Sequence, residues 1–301
     1  MTVLSIDIGG TNFRIGAVCE DGSVVKFDKV PTASVIHSGN VLADLAQYLK
    51  TFSAGIAFDA AAIGFPATLN RERTQVLQAP NIPFMENLPV CDYLQKELQV
   101  PVLAERDVTV ALYYDSDKYC LPNEGIICGI YFGTGIGNAI LIDGKPLAGS
   151  HGTAGELGHI PVPGCDIPCG CGNKGCMEAF AGGKALARIQ KEYFPDTPIS
   201  ELFTQHGKEQ ALQCFIDGMA AAVTTEINIL DPDYILLGGG VLSMKNFPRE
   251  LLDKRICAHT RKPLPWDELQ LIYTEDEADK SVIGGAIYAR RQLNNTTDSS
   301  I

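Results

Sequence analysis

Residues 3–22 read VLSIDIGGTNFRIGAVCEDG: an apolar strand, a glycine-rich turn, a second apolar strand and a closing Asp-Gly turn. Residues 126–144, IICGIYFGTGIGNAILIDG, repeat that order and also close on Asp-Gly. Two such hairpins about one domain apart favour a duplicated architecture over the chance likeness of two glycine-rich hairpins. We therefore expect two related halves with a cleft between them.

Strands and helices alternate along the rest of the chain. Apolar residues at helical spacing predict helices at 39–52, 88–99 and 209–230. Short apolar runs predict strands at 60–65, 101–104 and 231–241. This alternation predicts an α/β fold. We expect residues 1–115 and a C-terminal helix over 281–301 to form a smaller domain, and residues 116–280 to form a larger one.

The composition is that of a globular protein without a nucleic-acid-binding surface. Of 301 residues, 46% are hydrophobic and 20% are charged, so a sizeable core can be buried. The formal net charge of −12 argues against binding to nucleic acid or to an anionic membrane. The N-terminal MTVLSIDIGG lacks a basic region and a long apolar stretch, so we expect no signal peptide and no transmembrane helix. Because only three of the ten cysteines crowd together, we expect thiols in a reducing cytoplasm.

Each glycine-rich turn has the composition of a phosphate-binding loop. Glycines let backbone N–H groups approach a phosphate closely, and a threonine adds a hydroxyl donor. The Walker loop is a different pattern, because it needs GxxxxGK[ST] followed by a helix. The alternative is an ordinary hairpin turn, but the second copy favours a clamp for the β- and γ-phosphates. A glycine triplet after a later strand would lie against adenosine. The predicted nucleotide-binding residues are Asp7, Gly9, Gly10, Thr11, Asn12, Gly133, Thr134, Gly135, Gly137, Gly238, Gly239 and Gly240.

Asp107 follows a predicted strand and precedes a predicted helix, in the stretch AERDVTVALYYD. An aspartate at that place is ordinarily an N-cap or a first-turn carboxylate that stabilises the helix. The functional interpretation is a general base that accepts the proton of a substrate hydroxyl during phosphoryl transfer. We predict that Asp107 is the catalytic base.

The most specific local pattern lies in residues 156–179, which hold one imidazole and three thiols at metal-ligand spacing. The predicted ligands are His159, Cys169, Cys171 and Cys176. Thiolates and imidazole suit tetrahedral Zn²⁺, and a closed set of four makes a structural site. Cys165 is a competing ligand, and free thiols in a loop are the alternative to a metal. Glu156 and Glu178 flank the pattern, where they would either hydrogen-bond sugar hydroxyls or lie solvated at the surface.

Three motifs carry a family resemblance: DIGGTNFR at 7–14, GELGH at 155–159 and CGCGNKGCMEA at 169–179. With them the chain resembles the ROK family of sugar kinases and repressors, in an order that holds from residue 3 to about 290. The zinc signature is specific, whereas the glycine turns are not.

The resemblance implies a two-domain, actin-like (ribonuclease H-like) ATPase fold and a homodimer. It also implies that ATP and Mg²⁺ are used to phosphorylate a hexose at its 6-hydroxyl, with Asp107 as base. His159 would serve both the zinc and, through its other ring edge, the sugar. The sugar-binding residues that the resemblance implies are Gly64, Asn81, Arg106, Asp107, Glu156, His159 and Glu178.

Two departures from the glucose-type members of the family bear on the sugar. Those members usually have Asn-Asp where this chain has Arg106-Asp107, and Gly-Ile-Pro-Gly where it has GFPA at 64–67. A planar, charged guanidinium contacts secondary hydroxyls differently from an amide. The Arg-Asp pair, with residues 238–252 and 261–265, is similar to D-allose kinases, so D-allose is the predicted substrate.

Other functions remain as alternatives. A glucokinase or N-acetylmannosamine kinase of the same family would differ in the sugar alone. A non-catalytic sugar-binding regulator is disfavoured because Asp107 and both phosphate turns are intact. An acetate- or glycerol-type kinase is not expected to carry the zinc loop. A repressor would need an N-terminal helix-turn-helix, and a phosphate motif that begins at residue 7 leaves no room for one.

Overall fold

The computed structural model describes residues 1–80, 82 and 84–298, and it divides the chain into two compact units. The first unit holds residues 1–121, 148–154 and the chain from Glu277 onward; the second holds residues 122–147 and 155–276. These bounds differ from the expected division at residues 115 and 281 chiefly in the segment 148–154, which lies in the first unit.

The secondary structure of the described residues alternates as an α/β chain should, which confirms the predicted class. The strands are β1 (Val3–Ile8), β2 (Asn12–Val18), β3 (Val24–Pro31), β4 (Ala60–Phe65), β5 (Thr68–Leu69), β6 (Val76–Gln78), β7 (Val102–Arg106), β8 (Ile126–Phe132), β9 (Ile136–Ile142), β10 (Lys145–Pro146), β11 (Tyr234–Gly238) and β12 (Gln270–Tyr273). The α-helices are α1 (Thr32–Val35), α2 (Val41–Phe52), α3 (Val90–Leu98), α4 (Asp107–Lys118), α5 (Met177–Ala181), α6 (Gly183–Tyr193), α7 (Leu202–His206), α8 (Gln210–Leu230), α9 (Arg249–His259) and α10 (Lys280–Asp298). Short 3₁₀ turns cover Leu157–His159 and Ile199–Glu201.

Local side chains explain where the predicted elements begin and end. The helix expected at 39–52 begins at Val41, because the Asn40 side chain accepts the N–H of Ala43 at 3.3 Å as an N-cap. The helix expected at 88–99 stops at Leu98, since Gln99 takes a left-handed conformation with φ of 58°. The strand expected at 101–104 continues to Arg106, so Asp107 is the first residue of α4.

Each unit contains a five-stranded sheet of the same construction. In the first sheet, with order β3-β2-β1-β4-β7, β1 pairs antiparallel with β2 and parallel with β4. In the second, with order β10-β9-β8-β11-β12, β8 pairs antiparallel with β9 and parallel with β11. The two glycine-rich hairpins, β1–β2 and β8–β9, therefore hold equivalent places, which confirms the internal repeat of the hairpin.

The core of the first unit supports the start of α4. All six residues of β1 are buried, as expected of a central strand covered on both faces. α10 packs against β1, β4 and α4. The hydroxyl of Tyr288 on α10 donates to the carbonyl of Ala104 at 3.0 Å, and Lys280 forms a buried ion pair with Asp115 at 2.6 Å. The junction of β7 and α4, where Asp107 lies, is thus fixed from the C-terminal helix.

The core of the second unit is built around the long helix α8. Its apolar face includes Phe215, Met219 and Val223, each at most 1% exposed, at the spacing of one helix face. This face packs into one cluster with buried residues of β8, α5 and α6. Among the described helices, none combines the length and the apolar character needed to cross a membrane. All ten cysteines are unpaired thiols.

Candidate active site

The turn between β1 and β2 has its carbonyl groups tied back into the first unit. The carbonyl of Gly9 accepts the hydroxyl of Thr32 at 2.6 Å, and the carbonyl of Thr11 accepts the N–H of Thr32 at 2.9 Å. The carbonyl of Asn12 accepts the N–H of Gly9 at 2.8 Å. The tip of the turn, Gly10 and Thr11, is exposed. The turn is therefore held by its acceptors, while its tip faces solvent.

The turn between β8 and β9 is held in the same way by the start of α6. The carbonyl of Gly133 accepts the N–H of Gly183 at 2.9 Å, and the carbonyl of Thr134 accepts the N–H of Lys184 at 2.9 Å. A side chain at Gly183 would place Cβ 2.4 Å from the Gly133 carbonyl oxygen, so this approach of helix to turn requires glycine.

Both turns leave backbone donors at their tips. Among the described residues, no acceptor is found for the N–H groups of Gly10 and Thr11 in the first turn, or of Thr134 and Gly135 in the second. Successive N–H groups in a turn, with the carbonyls directed away, form a concavity that binds anions. Each unit therefore presents a turn whose tip N–H groups are open to a ligand, at equivalent places in its sheet.

Packing within the protein requires glycine at two of the three positions of the triplet after β11. A Cβ at Gly238 would lie 2.4 Å from the Thr274 hydroxyl, and one at Gly239, whose φ is +99°, would meet the backbone of Phe132 at 2.5 Å. Gly240 faces open space, with no atom of the described residues within 4 Å of its Cβ position. Of the three, Gly238 is buried, Gly239 is partly exposed and Gly240 is exposed.

Asp107 is a carboxylate whose surroundings favour its protonated form. It is partly buried at the start of α4, and its Oδ1 accepts the N–H of Val108 at 2.8 Å. Burial, reinforced by the negative charge of Asp7, raises the pKa of Asp107 to about 7. A carboxylate that exchanges its proton near neutral pH is suited to general-base catalysis.

Asp7 is oriented by a residue that the sequence did not single out. Asp7 and Arg14 are cross-strand partners in the β1–β2 hairpin, and Nη1 of Arg14 donates to Oδ2 of Asp7 at 2.8 Å. Asp7 is 8% exposed, and no partner for its Oδ1 is found among the described residues. The pairing leaves Oδ1 of Asp7 as an acceptor beside the first turn.

Two of the predicted sugar-binding residues lie close to Asp107, and a third cannot be placed. Gly64 on β4 pairs with Asp7 on one side and with Glu105 on the other. Arg106 ends β7, and its Nη1 donates to the carbonyl of Ala154 at 2.7 Å. Asn81 lies outside the described residues.

The predicted metal ligands converge in the second unit. One ligand atom from each of His159, Cys169, Cys171 and Cys176 lies within 4.8 Å of the other three. Sγ of Cys171 and Sγ of Cys176 are 3.6 Å apart, and Sγ of Cys169 is 3.7 Å from Nδ1 of His159. A tetrahedron with bonds of about 2.3 Å has edges of about 3.8 Å, so the cluster has the dimensions of a zinc site. Cys165 is not part of this cluster, and it is therefore not a competing ligand in this structure.

Glu156 and Glu178 adjoin the metal cluster. Nδ1 of His159 faces the cysteines, whereas its Nε2 lies 3.6 Å from a carboxylate oxygen of Glu156. Oε1 of Glu178 accepts the Cys169 thiol at 3.1 Å, and its Oε2 lies so close to Gly135 that a Cβ there would come within 2.2 Å. The structure thus joins Glu156, His159, the cluster, Glu178 and the second turn into one continuous site.

Three comparisons place these features among known proteins. A family model described as "ROK family" matches residues 3–292. The glucokinase of Thermotoga maritima is 29% identical over 265 residues, which cover 80% of this chain and 82% of that protein. The N-acetyl-D-glucosamine kinase of Escherichia coli O157:H7 is 27% identical over 266 residues, covering 82% and 87% respectively. The crystal structure of a ROK family glucokinase from Streptomyces griseus, in complex with glucose and AMPPNP, is 25% identical with a TM-score of 0.80, and the match covers 97% of this chain and 100% of that one. The likeness in structure confirms the predicted actin-like α/β fold.

Proposed function

Because the chain belongs to the ROK family, we propose that it is a sugar kinase that transfers the γ-phosphate of ATP to the 6-hydroxyl of a hexose. The observation that carries this proposal is the pair of equivalent turns whose carbonyls accept hydrogen bonds within their own units, while the tip N–H groups have no acceptor among the described residues. Two such turns on repeated hairpins would suit the phosphates of a nucleoside triphosphate. The two compact units would be the two domains of the kinase, and the homodimer implied by the resemblance is part of the same proposal.

Asp107 would remove the proton from the attacking hydroxyl. Its position at the start of α4 and its pKa of about 7 support this role. The turns at 9–12 and 133–137 would hold the phosphates, and Gly240 the adenosine. When bound with ATP, Mg²⁺ would neutralise charge on the β- and γ-phosphates. Asp7 would orient that ion through water, because Arg14 holds one of its carboxylate oxygens and the other has no partner among the described residues.

The hexose would be held by the side chains that the family resemblance implies. Glu156 and Glu178 would offer carboxylates to sugar hydroxyls, and His159 would offer Nε2 while its Nδ1 faces the cysteine cluster. Gly64, Arg106 and Asn81 complete the set that the resemblance implies. Carboxylates that accept two neighbouring hydroxyls give orientation as well as affinity.

A structural zinc ion fits the cysteine cluster. The ligand set of one imidazole and three thiols is the type that zinc prefers, and two ligand distances, 3.6 and 3.7 Å, are close to the edge of a zinc tetrahedron. His159, Cys169, Cys171 and Cys176 would hold the ion. Because Glu178 follows Cys176 by two residues, the ion would fix the backbone that carries one sugar carboxylate.

D-Allose is the hexose that we propose as substrate. The support is Arg106, a fixed and charged group where glucose-type relatives of the family carry asparagine; its guanidinium is anchored on the Ala154 carbonyl. Allose differs from glucose by inversion at C3, so a changed contact to a secondary hydroxyl is expected to change the preference.

Initial rates with D-allose, D-glucose, D-mannose and N-acetyl-D-mannosamine test the choice of sugar. We expect kcat/KM to be highest for D-allose. The highest kcat/KM on glucose would instead assign a glucokinase, as the name of the Thermotoga relative suggests. Binding of a hexose without any turnover would assign a sugar-binding regulator.

The pH dependence of turnover follows from the pKa of Asp107. The base must be ionised to accept a proton, and its pKa is raised to about 7. We therefore expect kcat/KM for the hexose to fall about tenfold for each pH unit below 7 and to level off above it. A profile measured from pH 5 to 9 at saturating ATP checks this. Constant kcat/KM down to pH 5 would show that Asp107 is not the titrating base.

A further inference from the structure

A short segment, residues 148–154, leads directly into Gly155 and Glu156. We call it the strap. The strap follows β10 in the sequence and packs within the first unit. The chain then enters the second unit at Gly155. Because the strap ends two residues before Glu156, its course fixes where the backbone that carries this carboxylate begins.

Two arginines fasten the strap through its carbonyl groups. Nη1 of Arg73 donates to the carbonyl of Gly152 at 2.8 Å, and Nη1 of Arg106 donates to the carbonyl of Ala154 at 2.7 Å. These donors lie 79 and 48 residues away from their acceptors along the chain. Charged donors make hydrogen bonds about twice as strong as neutral ones, so two of them restrain a short segment effectively.

The carboxylate of Glu105 contacts the side chain of Arg73 and the backbone of Arg106. Glu105 is 1% exposed, and its oxygens lie 3.1 and 3.2 Å from Nε of Arg73. Its Oε1 also accepts the backbone N–H of Arg106 at 2.8 Å. A buried carboxylate requires a paired cation, which fixes Arg73 in place. Arg73 itself has a φ of 58°, a conformation that non-glycine residues adopt only where the surroundings impose it.

Glycine at position 152 permits the close contact between the strap and Arg73. Gly152 has a φ of +79°, and a Cβ there would lie 2.7 Å from the carbonyl oxygen of Leu69 and 3.0 Å from Nη1 of Arg73. The backbone of the strap therefore approaches the β5–β6 hairpin, which carries Arg73, more closely than any side chain at this position would permit.

We propose that Arg73 is a positioning residue for sugar binding: anchored on the buried carboxylate of Glu105, it fixes the strap and thereby the backbone that carries Glu156. The inference rests on the proposed function, in which Glu156 binds the hexose. Arg106 then has a second role besides sugar binding, because its guanidinium donates to the carbonyl of Ala154 in the strap.

The variant Arg73→Lys tests the proposal with the charge beside Glu105 retained. A lysine supplies one point charge and not the planar fork that reaches Glu105 and Gly152 together. We expect the dissociation constant of the preferred hexose, measured by titration calorimetry without nucleotide, to rise about tenfold. The KM for ATP and kcat at saturating hexose should change less than about threefold, because the phosphate turns and Asp107 are untouched.

Two further variants separate positioning from general destabilisation. Arg71→Lys is the matched control, since Arg71 is an exposed arginine two residues earlier on the same hairpin connection, and it should leave hexose binding unchanged. Gly152→Ala disturbs the same contact from the strap, because its Cβ would meet the Leu69 carbonyl and Nη1 of Arg73. It should weaken hexose binding in the same selective way, even where Arg73→Lys does not fold.

An unchanged hexose dissociation constant in both Arg73→Lys and Gly152→Ala overturns the inference, as does an equal loss of hexose and ATP binding. The measured quantity is hexose binding, so the result does not depend on whether the protein transfers phosphate. A wild-type protein that binds hexose without turnover would refute the kinase and leave the role of Arg73 measurable. A wild-type protein that binds no hexose would refute both.

Discussion

Replacing Asp107 by asparagine is expected to lower kcat by about 10²- to 10⁴-fold while hexose binding stays close to that of the wild type. The amide keeps the size of the side chain and the contact to the N–H of Val108, but it cannot accept the hydroxyl proton. Initial rates and calorimetric titration with the preferred hexose measure the two quantities separately.

The same variant separates a base from a helix-stabilising carboxylate. Because burial and Asp7 raise the pKa of Asp107, its folded form holds a proton more tightly than its unfolded form. Asp107 therefore lowers the stability progressively as the pH rises from about 4, where the unfolded form ionises, to about 7, where the folded form does. Asp107→Asn should not lower the melting temperature at pH 8.

Asp92→Asn is the matched control, since Asp92 is an exposed first-turn carboxylate of α3. This variant should lower the stability of the protein by about 0.3–1 kcal/mol and leave kcat unchanged. Near-normal kcat in Asp107→Asn would contradict the assignment of the base, and a lowered melting temperature would favour the helix-stabilising role.

Replacing Cys171 by serine is expected to remove zinc from the protein and to loosen the sugar site. Cys171 is exposed, so the loss of its side chain alone removes little packing. Its thiolate would be one of four ligands, and zinc sites with one ligand lost bind the metal far more weakly. We expect about one equivalent of zinc to be lost per chain and the melting temperature to fall by about 5–10 °C. Hexose binding should weaken as well, because Glu178 follows the ligand Cys176 by two residues.

Cys165→Ser is the control for the zinc prediction. Cys165 lies in the same loop but outside the ligand cluster, so its variant should keep the metal, the melting temperature and hexose binding. Elemental analysis of purified wild type and both variants provides the measurement. Wild-type protein purified without zinc, or Cys171→Ser with an unchanged melting curve, would contradict a structural metal.

Features that depend on residues close in sequence could be predicted from the sequence. The hairpin turns follow from contiguous strands and glycines, and the metal cluster follows from four ligands within one loop. The structure places both as expected. The structure also leaves Cys165, which spacing alone admits, outside the cluster of the other four residues.

Features that depend on distant contacts could not be predicted. Thr32, which holds the first turn, is 23 residues from Gly9, and Arg73 is 32 residues from Glu105. Neither carries a local motif, since a threonine or an arginine in a loop has no periodic or compositional signature. The pairing of Arg14 with Asp7 is different, because the register of the predicted hairpin already places these two residues opposite each other.

The glycine triplet shows the limit of a compositional argument. The sequence suggested bare backbone for adenosine at all three positions, yet Gly238 and Gly239 have neighbours within the protein that require glycine. A glycine that a fold needs for its own packing cannot be distinguished by composition from one that a ligand needs. Gly240 has no such neighbour among the described residues, so packing does not explain why it is glycine.

The formation of ADP by the wild-type protein with Mg-ATP, measured with and without D-allose, tests the central claim most directly. We predict that ADP forms only when the hexose is present, in equal amount to a sugar phosphate whose phosphate NMR locates on the 6-oxygen. ADP formation at the same rate with and without the sugar would contradict a hexose 6-kinase, as would hexose binding without formation of ADP.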